Sequence, residues 1–215
     1  LGADGVYSKM YTANNFDNSS YKGNNLANIA AYNWNKSNQN TWSLSNLNKI
    51  NLNTNFITNI GADWAAKIDT TTWKVGGNTW ENIGTQPAKT VYQNEIVNPV
   101  TTNSTDNKTE YSAKIGLMYV SDYGFAAAPS AWTANLDTYN GEAIKNVNWM
   151  YMGLYEWTIS RYAGSDYLAF GVYSTGSVSY NIATYVLALR PVFYLASSVN
   201  YVSGSGTAAD PIVVN

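Results

Sequence analysis

Residues 155–195 have the sequence YEWTISRYAGSDYLAFGVYSTGSVSYNIATYVLALRPVFYL, which interleaves two kinds of side chain. Tyr gives a large contact area for few rotatable bonds, and Ser, Gly and Asn adapt their hydrogen bonding, so recognition surfaces favour these residues. They make up most of one kind, together with Ala, Thr and Asp. The stretch therefore predicts a scaffold that presents a recognition surface. The other kind is bulky and has the spacing of a core: Trp157, Ile159, Phe170, Val172, Val178, Leu189, Val192, Phe193 and Leu195.

The two kinds alternate strictly over residues 170–178. Because successive residues of a strand point to opposite faces, this alternation predicts one scaffold face and one display face. Display positions of the same composition continue through residues 162–168 and 179–188. The candidate ligand contacts are Tyr162, Asp166, Tyr167, Tyr173, Tyr180, Asn181 and Tyr185. Trp149, Tyr151 and Tyr155 precede the display positions. They either line a pocket beside these positions or pack in the core.

Two residues of this region are expected to be structural. Trp157 belongs to the apolar set. Arg190 is the only charged residue between Tyr167 and Ala209. We expect its guanidinium to be buried and bonded to carbonyl groups or to a carboxylate such as Glu156, because a guanidinium offers five donors that a buried site must satisfy.

The composition excludes several classes of function. The 215 residues include no Cys and no His, which removes thiol chemistry, the commonest transition-metal ligand and the usual general base. A net charge of −2 without a basic cluster argues against nucleic-acid binding. We expect no metal and no cofactor. No apolar run is long enough to span a membrane. The chain begins with Leu1 rather than Met, as expected of a fragment from which a signal or anchor has been removed.

Upstream patterns predict helices before strands. Apolar residues recur at helical steps over residues 44–60, with a break expected near Asn53, and a short helix is expected over 64–68. A Gly-Gly-Asn turn at 76–78 predicts a hairpin of 70–75 with 79–83, and 89–97 and 113–120 are strand candidates. Residues 99–109 are expected to form a projecting loop. The order predicts an α+β fold with short, mostly antiparallel strands and long loops. Residues 1–41 are expected to be a lead-in packed on a domain that spans 42–215.

Four segments resemble a family of bacterial surface domains found on pilin-like and other exported proteins. They are KIGLMYVSDYGF at 114–125, EWTIS at 156–160, LRPVFYL at 189–195 and VNYVSGSGTAADP at 199–211. This resemblance covers roughly residues 40–215. More remotely, the chain resembles the C-type-lectin-like fold of formylglycine-generating enzymes and of the variable proteins of diversity-generating retroelements. The resemblance implies that fold, with Arg190 as its core-adjacent arginine. Without Cys the enzyme chemistry does not carry over, and Gln86-Pro87-Ala88 and Asn148-Trp149-Met150 lack the carboxylates of calcium-dependent lectin motifs.

The resemblance implies a non-enzymatic binding or adhesion domain on a pilus or other cell-surface structure. Its partner would be an unidentified protein or glycan on a host, cell or phage surface. Retroelement mutagenesis acts at adenines and converts Asn codons into the residue types found at the display positions, so these positions are candidates for diversification; an ordinary half-exposed sheet is the alternative. A second reading is a pilin-like subunit that self-assembles through the same face. A third is a carbohydrate hydrolase that uses Glu156 beside Trp157.

Overall fold

The computed structural model describes residues 22, 29–100, 108–207 and 209–215, and it shows a mixed α+β fold with mostly antiparallel strands. This confirms the α+β class. Most of the predicted lead-in before residue 29, and residues 101–107 of the predicted loop, lie outside the described residues. Within them, no helix is both long enough and apolar enough to cross a bilayer.

The strands of the described chain are short. They are β1 Ala31–Asn33, β2 Thr71–Lys74, β3 Gly77–Asn78, β4 Glu110–Ala113, β5 Ile115–Leu117, β6 Glu156–Tyr162, β7 Leu168–Val172, β8 Val178–Ile182, β9 Val186–Ala188, β10 Pro191–Phe193, β11 Tyr201–Ser203 and β12 Val213–Val214.

The helices lie mainly in the first two thirds of the chain. The α-helices are Ile57–Asn59, Ala62–Lys67, Trp80–Ile83, Ala88–Tyr92, Val120–Phe125 and Glu142–Lys145. Two segments, Leu47–Phe56 and Gln93–Val97, are π-helical. The 3₁₀ turns are Trp42–Leu44, Pro129–Ala131 and Leu136–Thr138.

The main sheet has six strands in the order β1-β9-β6-β7-β8, and β3 also pairs with β6. Strand β7 is antiparallel to both β6 and β8, whereas β3 and β9 run parallel to β6. Within the described chain β8 pairs only with β7, so it forms an edge of the sheet. The remaining strands form three antiparallel pairs: β2 with β4, β5 with β10, and β11 with β12.

Apolar clusters cover both faces of the main sheet. Trp157 pairs with Gly171 in the register, and Trp157, Ile159 and Ala169 belong to one buried cluster. Phe170, on the adjacent position of β7, belongs with Val172 and Val178 to a second cluster. Because neighbouring residues of a strand face opposite sides, the two clusters lie on opposite faces of the sheet. The sheet is therefore buried like the middle layer of a sandwich.

Residues 29–41 are part of this domain. Strand β1 pairs with β9, and Trp34 is fully buried with its indole N–H donating to the Thr158 carbonyl at 3.1 Å. The indole of Trp157 donates to the Tyr32 carbonyl at 2.9 Å. These two bonds link residues 32–34 to strand β6. The described part of the predicted lead-in therefore belongs to the main sheet.

The predicted helix over residues 44–60 forms, but without a break near Asn53. Leu47–Phe56 is π-helical and continues into Ile57–Asn59. The Asn53 amide donates to the Asn48 carbonyl at 3.1 Å, and the Thr54 hydroxyl donates to the Lys49 carbonyl at 2.7 Å. Both bonds span five residues, the spacing of a π-turn. Polar side chains thus accompany a wider helix instead of ending it.

The predicted hairpin of 70–75 with 79–83 is wrong. Strand β2 pairs with β4, Gly77–Asn78 pairs in parallel with β6, and the Thr79 side chain caps the helix Trp80–Ile83. A Cβ on Gly77 would lie 2.9 Å from the Ala163 Cβ. Gly77 therefore permits a close approach of two backbones, which is a second use of glycine besides the turn.

The strand prediction for 89–97 is wrong, and that for 113–120 is correct only in part. Residues 89–97 are helical, because Pro87 begins a helix in which Ala88 and Val91 are buried on one side. Residues 113–120 contain the end of β4 at Ala113 and strand β5 at 115–117, and the helix Val120–Phe125 begins at their last residue. In both cases a short apolar run fits a buried helix as well as a buried strand.

Candidate ligand-binding surface

Three of the predicted contact residues are exposed tyrosines near the edge strand β8. Tyr167, Tyr180 and Tyr185 have exposed fractions of 41%, 36% and 37%. Tyr180 lies in β8, Tyr167 directly precedes β7, and Tyr185 follows β8 in the turn to β9. We call these three residues the edge tyrosines. Within the described chain no further strand pairs with β8.

The ring of Tyr180 is held by other aromatic rings. It stacks on Tyr162 with centroids 4.7 Å apart and planes 30° apart, and it meets Trp80 edge-on at 5.8 Å. Tyr162 in turn contacts the buried Phe170 at 5.7 Å. Aromatic pairs at such distances stabilise a geometry beyond the area they bury. Tyr180 is therefore an exposed side chain with a restricted orientation.

Tyr173 and Asn181 form a second, more buried group. The Tyr173 ring lies 4.8 Å from the ring of Tyr155, and its hydroxyl donates to the Tyr180 carbonyl at 3.3 Å. Asn181 is buried, and its side-chain oxygen accepts from the Tyr173 hydroxyl at 3.4 Å. Burial is the main cause that raises the pKa of Tyr173, which keeps its hydroxyl protonated and able to donate. This group supports the edge from within.

The loop that carries Asp166 and Tyr167 is held by Asn40. The Asn40 side-chain amide lies 2.8 Å from the carbonyls of Tyr162 and Ser165, and 2.7 Å from that of Leu168. The Asn40 backbone N–H also donates to the Asp166 carbonyl at 2.7 Å. Asn40 is fully buried. One side chain from far upstream thus fixes a loop in which Asp166 and Tyr167 are exposed, and no pattern around Asn40 predicts this role.

The expected division into a scaffold face and a display face does not hold. Phe170 and Tyr180 are cross-strand partners, so they lie on the same face, whereas Asn181 pairs with Ala169 on the opposite face. Gly171, a predicted display position, is buried against the Glu156 carbonyl. The physical reason is that both faces are covered by core, so alternation no longer separates core from solvent. Exposure follows the edge and the ends of the strands.

Of the three residues expected either to line a pocket beside this surface or to pack in the core, Tyr155 lies against Tyr173, whereas Tyr151 and Trp149 lie elsewhere. Tyr151 is buried, and its hydroxyl donates to the Ser174 carbonyl at 2.7 Å, so it packs as a core residue and is not part of the candidate surface. Trp149 is 77% exposed. It lines a separate groove of about 380 Å³ with Asp122, Phe125 and Tyr194, and none of the edge tyrosines lines that groove.

Arg190 makes the contact with Glu156 that the sequence predicted. Its Nε donates to Glu156 Oε1 at 2.9 Å, and its Nη2 donates to Oε2 at 2.8 Å and to the Met150 carbonyl at 2.6 Å. The Glu156 side chain is only 2% exposed. Burial raises the pKa of Glu156, and the Arg190 charge opposes that rise. Both carboxylate oxygens of the buried Glu156 are thus engaged by Arg190. The Arg190 side chain itself is 31% exposed, so the guanidinium is partly buried rather than buried as predicted.

A second buried carboxyl group, that of Glu95, is held by hydrogen bonds. It accepts the backbone N–H groups of Val120 at 3.2 Å and Ser121 at 2.8 Å, and the Ser160 hydroxyl. Burial raises the pKa of Glu95 to about 7, although these hydrogen bonds oppose the rise. Its burial was not predicted, because a lone Glu in a polar stretch of sequence gives no indication of burial.

Among the residues that the structure describes, no group of three or more carboxylates is placed to hold a metal ion. Comparisons of the chain with protein-family models, with curated proteins and with solved structures found no match.

Proposed function

We propose that this chain is a non-enzymatic, extracellular ligand-binding or adhesion domain of C-type-lectin-like fold that acts on a pilus or another cell-surface structure. The observation that carries the proposal is the set of edge tyrosines on a sheet whose two faces are buried. Rigid aromatic side chains lose little conformational entropy on binding, which favours affinity. Tyr180 has this property because Tyr162 and Trp80 hold its ring.

The interior carboxylates favour binding over hydrolysis. A glycoside hydrolase needs two carboxyl groups that flank the scissile bond. Both oxygens of Glu156 instead bind Arg190 in the interior, and Glu95 is buried among backbone and hydroxyl donors. The proposal therefore assigns the edge tyrosines to contact a protein or glycan and assigns Glu156 to stability.

The test is a binding measurement with a matched control. The fluorescently labelled domain is applied to a glycan array and to panels of intact cells, and the targets that retain it are recorded. A Tyr167→Ser, Tyr180→Ser, Tyr185→Ser variant is expected to lose at least about tenfold in apparent affinity, because a few aromatic anchors dominate binding energy. Tyr201→Ser, which alters another exposed tyrosine on strand β11, is the control. Equal retention of the triple variant would exclude the edge tyrosines as the binding surface.

A second candidate function is a pilin-like structural subunit, and the open edge of β8 favours it. An unpaired strand edge is a template for pairing with another chain. If this function holds, the purified domain forms oligomers with rising concentration in sedimentation experiments, and Ile182→Pro, at a position whose backbone N–H points away from β7, reduces them. A monomer at all concentrations that still binds a foreign surface supports the adhesion domain instead.

We also propose that the display positions are diversified. Burial of some of these positions limits where substitutions would be tolerated. The edge tyrosines and Thr175 are exposed. Ala183 and Asn181 are buried, and a Cβ on Gly171 would lie 2.6 Å from the Glu156 carbonyl oxygen. We therefore expect adenine-linked variants at the exposed positions and few at the buried ones. Sequencing the coding region across many cells of one strain tests this; a uniform sequence contradicts it.

A further inference from the structure

The groove beside Trp149 is built from rings and thioethers around one carboxylate. It has a volume of about 380 Å³ and lies between the helix Val120–Phe125, residues 149–150 and strand β10. Trp149 and Tyr194 are both largely exposed. Its lining residues include Met118, Phe125, Trp149, Met150 and Tyr194, together with Asp122.

The exposed Trp149 sits on a fixed backbone. The backbone N–H of Trp149 donates to the Ala126 carbonyl at 3.2 Å. The preceding Asn148 is buried, and its side-chain amide donates to the Tyr123 carbonyl at 2.9 Å. Tyr194 is likewise held, because its ring lies 5.6 Å from the ring of the buried Trp73. Large apolar side chains that are exposed at a groove are typical of binding sites.

Asp122 is the only charged side chain among the described residues that line the groove. One of its oxygens, Oδ2, accepts the Tyr119 backbone N–H at 2.8 Å, and no ion pair is formed by Asp122 within the described chain. Partial desolvation raises the pKa of Asp122, and the hydrogen bond from the Tyr119 N–H opposes the rise. The nearby Arg190 is already bonded to Glu156 and to the Met150 carbonyl.

These features favour one kind of ligand. An anion would meet a carboxylate and no cation among the lining residues. A neutral sugar would find few hydrogen-bonding side chains, since the lining is mostly aromatic and Met. An alkylammonium group suits both features, because aromatic faces and a carboxylate attract the charge while rings and thioethers contact the alkyl groups.

We propose that this groove is a second binding site, separate from the edge tyrosines, which takes the quaternary ammonium group of a choline headgroup. Trp149 and Tyr194 would face the cation, and Asp122 would balance its charge. The site goes beyond the proposed adhesion function and does not depend on it.

The test uses choline and its neutral carbon isostere 3,3-dimethylbutanol, at equal ionic strength, with ¹⁵N-labelled protein. The indole N–H signal of Trp149, assigned with Trp149→Phe, is expected to shift with a dissociation constant on the order of millimolar, and about tenfold more weakly with the isostere. Asp122→Asn is expected to weaken choline about fivefold. Asn keeps an oxygen for the Tyr119 N–H, so the helix start is retained, and a melting curve verifies the fold.

Trp64→Phe, which alters a tryptophan outside the groove, and Asp63→Asn, an exposed carboxylate on another helix, are the controls and should leave the choline shift unchanged. The proposal is overturned if the isostere binds as well as choline, or if Asp122→Asn has no effect. It is also overturned if galactose, glucose or N-acetylglucosamine moves the Trp149 signal at lower concentration than choline does, since the groove would then be a sugar site. None of these outcomes bears on the edge tyrosines.

Discussion

Strand β6 at the centre of the main sheet and strand β8 at its edge differ in what surrounds their polar side chains. On β6, Glu156 is neutralised by Arg190, and the hydroxyls of Thr158 and Ser160 donate to oxygen atoms in the interior. On β8, Tyr180 keeps its hydroxyl near solvent while its ring is held by neighbouring rings. Substitutions on the central strand should therefore alter stability, and substitutions at the edge should alter binding.

The largest expected effect at the centre comes from Arg190→Leu. It leaves Glu156 buried without its cation, and removing one partner of a buried ion pair costs about 3–5 kcal/mol in the free energy of unfolding. Urea unfolding measures this. The partly exposed pair of Lys74 with Glu110 is the control, because Lys74→Leu should cost less than about 1 kcal/mol. Adding Glu156→Leu to Arg190→Leu should restore part of the loss; an unchanged stability of Arg190→Leu would contradict an interior role.

Glu95 gives the centre a dependence on pH. Its carboxyl group keeps a proton to about pH 7 when folded, but releases it near pH 4.5 when unfolded. Its contribution is therefore complete below pH 4.5 and is lost as the pH rises to 7, by about 3 kcal/mol in the free energy of unfolding.

The variant Glu95→Gln isolates this effect, because Gln does not titrate. Unfolding at several pH values between 4 and 8 should show a decline for the native chain that is steeper than for the variant. Burial raises the pKa of Glu156 in the same direction, so the difference between the two curves, rather than either curve, reports on Glu95. Parallel curves would show that Glu95 is not buried as described.

Asn40 lies at the boundary of the two regions. Asn40→Ala removes the donor to three carbonyl groups and is expected to cost about 2 kcal/mol in the free energy of unfolding. Amide hydrogen exchange should increase at residues 163–167 more than in β6. A control is Asn146→Ala, whose exposed amide bonds only the neighbouring Glu142 side chain. Uniformly raised exchange throughout the sheet would indicate a global rather than a local role.

The smallest change in stability is expected at the edge. Tyr180→Ser removes its ring contacts with Tyr162 and Trp80 and should cost about 1 kcal/mol. Thermal unfolding measures this against Tyr201→Ser. A loss as large as that of Arg190→Leu would place Tyr180 with the core and remove the distinction between the two strands.

Part of this architecture was predictable from residues that have few ways to be satisfied. The pairing of Arg190 with Glu156 followed because a buried guanidinium needs acceptors and few carboxylates were available nearby. The spacing of the apolar set correctly predicted burial for Trp157, Ile159, Phe170, Val172, Val178 and Leu189, but Leu195 is 43% exposed. The early helices and the α+β class also followed from the sequence pattern. In these cases the need of a side chain for hydrogen-bond acceptors or for burial limits which residues can surround it.

The rest depended on contacts between distant parts of the chain. Asn40 and Glu95 act on residues far along the sequence, and nothing in their neighbours indicates burial. Gly77 was predicted to lie in a turn but pairs in parallel with Arg161. Glycine occurs both in turns and where two backbones approach closely, so its presence does not distinguish the two. The exposure of each display residue depended on whether the second face of the sheet is covered. The pattern of a single strand does not reveal this.

The position of strand β1 has a practical consequence for dissecting the protein. A fragment that begins at residue 42, where sequence composition suggested a boundary, would lack Trp34, Asn40 and the strand that pairs with β9. Expression trials of shortened versions should therefore retain residue 29 and everything after it. An amino-terminal trimming protease that passes this point is expected to release a chain that aggregates.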